Sequence, residues 1–70
     1  MNGHEFLKKL RRYGKSRGLV PEFIARQGKG SHGTVLLGQH RTTLKDRRKE
    51  IGKGLLAKML ADLCIDPNDF

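Results

Sequence analysis

The chain has 70 residues, which allows one domain spanning 1–70 and no more. Fifteen Lys and Arg against seven Asp and Glu give a net charge of +8 and a pI of ≈ 10.3, a balance that attracts polyanions, nucleic acid first among them. A single cysteine, Cys64, excludes an internal disulfide framework. The polar first ten residues contain no apolar signal core, and no run approaches the roughly 18 apolar residues of a membrane span, so a soluble cytoplasmic protein is expected.

The first element reads as a helix. Asn2 suits its N-cap and Glu5 its first turn, where the helix dipole favours a negative charge. Phe6, Leu7, Leu10 and Tyr13 recur at helical spacing as one apolar stripe, with Gly14 as the C-cap. "KSRGLVP" is a loop punctuated by Gly18 and Pro21. "EFIARQ", Glu22 to Gln27, reads as a strand, "GKGS" as a glycine-rich turn, and "HGTVLLG", His32 to Gly38, as a second strand rich in β-favouring side chains. Gln39 and His40 fall in the next turn, and Arg41 to Lys45 form a third strand. A charged connection, Asp46 to Gly54, leads to the strongest helix, Leu55 to Cys64, whose apolar face is Leu55, Leu56, Met59, Leu60 and Leu63. In "IDPNDF", Asp66 caps and Pro67 opens a short helical turn, with Ile65 and Phe70 packing it back on the core. The order α–β–β–β–α describes an α+β fold. A three-stranded antiparallel sheet carries two helices on one face and leaves the other face open for a ligand.

The charge is unevenly placed. Lys8, Lys9, Arg11, Arg12, Lys15 and Arg17 form one basic group, and Arg41, Lys45, Arg47, Arg48, Lys49 and Lys53 a second. Asp62, Asp66 and Asp69 make the tail acidic. An acidic protein would be drawn by the same field as RNA.

Several motif look-alikes fail. "GKS" at Gly14 lacks the upstream glycine and strand of a P-loop. "GSHG" meets the G-x-x-G of a KH domain but joins strands, and "HGTVLL" lacks the aromatics of an RRM. His4, His32, His40 and Cys64 show no pairing at metal-ligand spacing, so neither a metal nor a cofactor is expected. Cys64 reads as a small buried hydrophobe with no base beside it.

His32, in "GKGSHG", stands apart. An imidazole exchanges protons under cell conditions. Lys29 and Arg26 would neutralise a phosphate beside it, and the N–H groups around Gly30, Ser31 and Gly33 are open to phosphate oxygens. That set suits RNA cleavage by the 2′-hydroxyl. The same residues also make an ordinary turn with an exposed histidine, and spacing alone does not decide between them.

Taken together, these stretches resemble the HicA family, the toxin component of bacterial and archaeal toxin–antitoxin pairs. "FLKKLRRYG" resembles the family's first helix. Gly30, Ser31 and His32 match its G-S-H, "GKGLLAKML" its second helix, and Ile65 and Phe70 its terminal motif. The loop "KSRGLVP" is longer than usual, and "RTTLKDRRKE" lacks the family's Val–Pro–x–His stretch. The resemblance implies a fold like that of double-stranded-RNA-binding domains. It also implies ribosome-independent, metal-independent cleavage of single-stranded or structured mRNA, a catalytic His32, and a HicB-family antitoxin as partner. On that reading Lys29, Arg26, Ser31, Gly30, Lys45, Arg47, Arg48 and Lys53 hold the RNA. The alternative from another functional class is a non-catalytic RNA-binding module. A DNA-binding reading is weaker, since no helix-turn-helix is evident.

Overall fold

The computed structural model describes residues 1–25 and 33–70. Its elements run α1 (Gly3–Lys15), β1 (Glu22–Ala25), β2 (Gly33–Leu37), β3 (His40–Leu44) and α2 (Lys53–Asp62), then a 3₁₀ turn, Pro67–Asp69. The strands form one antiparallel sheet in the order β1-β2-β3. This is the expected α+β order of elements.

Both ends of α1 are built from local chemistry. The Asn2 side chain accepts the Glu5 N–H at 2.9 Å, and the Glu5 carboxylate accepts the Asn2 N–H at 2.9 Å, a reciprocal capping box. Arg12 and Lys15 complement the negative end of the helix dipole. The helix runs past the expected Gly14 to Lys15, with Ser16 as its cap. Gly14 is needed for a different reason. Its carbonyl accepts the N–H of Leu19 at 2.8 Å, and a methyl group in place of its hydrogen would lie 2.4 Å from the Leu19 carbonyl oxygen. That close approach turns the chain back toward β1.

Register sorts the sheet residues onto two faces. Val35 pairs with Phe23 and Thr42, Gly33 with Ala25 and Leu44, and Leu37 with His40. On this face Val35, Leu37 and Leu44 are buried with Phe6, Leu7 and Leu10 of α1 and Met59 and Leu60 of α2. Both helices therefore cover one face. The other face carries Glu22, Ile24, Thr34, Leu36, Arg41 and Thr43, none of them buried. Burying side chains such as Phe6, Leu10 and Met59 contributes roughly 1.5–3 kcal/mol each, the main driving force in so small a core.

Several boundaries differ from expectation, those of β3 and α2 most usefully. β3 begins at His40, because Gly38 at φ +61° makes a two-residue hairpin loop of Gly38 and Gln39. α2 starts at Lys53 and ends at Asp62. Past α2, the Cys64 N–H donates to the Ala61 carbonyl and the Ile65 N–H to the Leu60 carbonyl, a Schellman turn. It places Cys64 at φ +56° and leaves it exposed, not buried as expected. Ile65 is buried, and Phe70 packs its ring 5.4 Å from that of Phe6, so the tail docks on the core as its apolar residues imply.

Two glycine substitutions separate close packing from chain entropy. Gly14→Ala is expected to lower stability by about 1–3 kcal/mol through overpacking. Gly54→Ala, inside α2 with open space around the added methyl, is expected to raise it by roughly 0.5–1 kcal/mol. Urea unfolding of both variants checks the opposite signs.

Candidate nucleic-acid interface

The site is organised by a seam between the start of α1 and the connection after β3. The Ile51 N–H donates to the Met1 carbonyl at 2.7 Å, and the His4 N–H to the Arg47 carbonyl at 3.0 Å. Asn2 bridges to Glu50, whose carboxylate also pairs with the Met1 ammonium group. Gly3 sits against Arg47 so closely that a methyl group there would lie 2.6 Å from the Arg47 Cα.

The seam fixes Arg47. Its guanidinium lies over the Phe23 ring, 4.6 Å from the centroid. Cation–π contact of this kind holds the charge in place without neutralising it. Arg47 Nε is shielded from water and has no hydrogen-bond partner among the described residues. The Phe23 ring in turn covers Gly33, where a methyl group would meet Phe23 Cζ at 2.4 Å. Gly33 pairs with Ala25 on one side and Leu44 on the other. Lys45, exposed, follows Leu44 directly. Arg47 and Lys45 are thus brought to the end of the sheet where β1 stops and β2 starts.

The remaining expected site residues are placed differently. Arg48 is 81 % exposed, and its charge is shared with Asp46, whose carboxylate accepts the Arg48 N–H at 2.9 Å and lies 3.5 Å from its Nε. Lys53 is the exposed first residue of α2. His32, Lys29, Arg26, Ser31 and Gly30 lie outside the described residues. Phe23, the platform under Arg47, was not singled out from the sequence. Its one signal is its alternation with exposed Glu22 and Ile24 in the first strand.

On α1, Lys8, Lys9, Arg11, Arg12 and Lys15 are all exposed. Glu5, Lys8, Lys9 and Arg12 line a shallow cleft of ≈ 310 Å³ with Met1. Lys9 Nζ stands 5.2 Å from the Phe70 ring centroid. Away from this surface, Asp62 at the end of α2 accepts hydrogen bonds from Thr42 at 2.9 Å and from Lys58 at 3.2 Å. These bonds, that from Thr42 first, hold its carboxyl below the ordinary 3.8. Asp62 is therefore held in its charged form at the end of α2. The chain matches no family model, no curated protein and no solved structure.

Because the folded form lowers the Asp62 pKa, its contribution to stability is complete above the unfolded value and is lost as pH falls through the folded one. Thr42→Val removes the leading cause. Its stability deficit relative to wild type is expected to shrink as the pH is lowered from neutral to below the ordinary carboxyl value of 3.8. Thermal melts across that range check it, and a deficit independent of pH would contradict the assignment.

Proposed function

We propose that the chain is a metal-independent endoribonuclease toxin of the HicA type, acting on mRNA through His32 and restrained by a HicB-family antitoxin. The order of elements, with both helices on one sheet face, supports a fold like that of double-stranded-RNA-binding domains. The observation that carries the reading is the gathering of uncommitted cations at one end of the sheet. Arg47, stacked on Phe23 and making no ion pair among the described residues, and Lys45 stand where Ala25 and Gly33 bracket the "RQGKGSH" segment. A scissile phosphate bound there meets positive charge next to Gly33, the residue that follows His32 in the sequence.

In this mechanism the His32 imidazole takes the proton of a ribose 2′-hydroxyl. The freed oxygen attacks the adjacent phosphorus, and the 5′-oxygen leaves as a hydroxyl with the proton handed back by the imidazolium, giving a 2′,3′-cyclic phosphate. Lys29 and Arg26 stabilise the charge that builds on the phosphoryl oxygens, and the N–H groups at Gly30 and Ser31 donate to those oxygens. Lys45, Arg47, Arg48 and Lys53, with the basic face of α1, grip the flanking backbone. The antitoxin covers this surface with an acidic one.

The test incubates a single-stranded transcript with wild type and His32→Ala in EDTA. Wild type is expected to cleave, and His32→Ala to lose at least about 100-fold in rate while still binding. Arg47→Gln is expected to weaken binding across sequences and reduce the salt slope by about one. Undiminished cleavage by His32→Ala would remove the catalytic assignment. Intact RNA with retained binding in both proteins would make the chain a binding module.

A further inference from the structure

The end of the sheet remote from Arg47 carries a second pair of reactive groups. Cys64 Sγ lies 3.6 Å from His40 Nδ1. The two residues are 24 positions apart, and both are exposed. Each is fixed by backbone structure: His40 by its pairing with Leu37 at the hairpin loop, Cys64 by the Schellman turn that ends α2. They open on a cleft of ≈ 310 Å³ walled by Tyr13, Leu19, Leu37 and Leu63. A thiol with a ring nitrogen in hydrogen-bond range, at the mouth of an apolar cleft, has what nucleophilic cysteines require: a proton acceptor, access, and room for the incoming group.

We propose that Cys64 and His40 form a thiol–imidazole pair that makes Cys64 a site of reversible S-thiolation by small disulfides. The His40 tautomer with its proton on Nε2 leaves Nδ1 free to take the thiol proton. The Cys64 sulfur attacks one sulfur of the disulfide, a new S–S bond forms, and the old one breaks. The departing thiolate carries away the electron pair and takes the proton from His40. Cys64 is oxidised and the departing thiol is reduced, with no other reactant. The half of the disulfide that stays attached lodges against Tyr13 and Leu19. The site shares no residue with the RNA-cleaving assignment and stands or falls without it.

The probes are the aromatic disulfide 5,5′-dithiobis(2-nitrobenzoate), followed by thiolate release, and glutathione disulfide, followed by intact mass. Folded wild type is expected to react with the first at least about tenfold faster than its own urea-unfolded chain, and folded His40→Gln to lose that advantage. Glutathione disulfide is expected to add one glutathionyl group to wild type, none to Cys64→Ser, and to be reversed by dithiothreitol. A folded wild type no faster than the unfolded chain overturns the proposal without reliance on any variant. So does a His40→Gln protein, folded by circular dichroism, that keeps the wild-type rate.

Discussion

The structure depends on the backbone seam between the start of α1 and the connection after β3. A helix can approach another chain segment this closely only where a side chain is missing. Gly3 supplies that gap, and the Arg47 backbone occupies it. Two backbone hydrogen bonds, His4 to Arg47 and Ile51 to Met1, then lock the segments together. Each such bond contributes only about 0.5–1.5 kcal/mol net, but leaving the same groups buried and unpaired would cost more. The seam therefore selects one arrangement. From it follow the place of Arg47 on Phe23, the covering of Gly33 by Phe23, and the packing of α1 over the sheet.

How α1 lies across the sheet separates the two proposed sites. Its N-terminus meets Arg47, at the Gly33 end of β2. Its C-terminal turn supplies Tyr13, which lines the cleft beside Cys64 at the Leu37 end. Thirteen helical residues span about 18 Å between first and last Cα. The proposed Cys64 site thus lies at the opposite end of α1 from Arg47.

Much of the fold was legible because it rests on short-range rules. The Asn2 and Glu5 pair, the stripe of Phe6, Leu7 and Leu10, and the Asp66–Pro67 start need only neighbours in sequence, and each is present. The misreadings have a common origin in backbone geometry. Placing His40 in a turn overlooked that Gly38, at positive φ, closes the hairpin one residue earlier. Placing Cys64 inside a helix overlooked a Schellman turn, which normally announces itself by a glycine and here uses a cysteine instead. The candidate interface was less legible still. Composition indicated that Lys45, Arg47, Arg48 and Lys53 are basic. It held no sign that Arg47 would find Phe23, 24 positions away, or that Asp46 would share the charge of Arg48. The first contact is decided by the sheet register and the seam, which no local pattern encodes; the second is a local Asx turn that "DRR" already allowed.

The acids of this chain sort its cations as much as the cations sort themselves. Arg17 stands 3.8 Å from Asp69, Arg48 3.5 Å from Asp46, and Lys58 3.2 Å from Asp62. Exposed pairs like these add little stability, about 0–1 kcal/mol, but they reduce the local field. Among the described residues Lys45, Arg47, Lys53 and the basic side chains of α1 between Lys8 and Lys15 have no such partner. The neutralised group includes Asp69 beside Arg17, past the C-terminal end of α1, whereas Arg47 lies at its N-terminal end. At physiological ionic strength charges are screened over about 8 Å, less than half the length of that helix. Asp69 is paired with Arg17 and makes no ion pair with Arg47. The unpaired cations of α1, with Lys45 and Arg47, leave a net positive field that would attract a polyanion before any contact forms. An ion pair between Arg47 and an acid of this chain would weaken that field, whereas stacking on Phe23 holds the side chain and leaves its charge available.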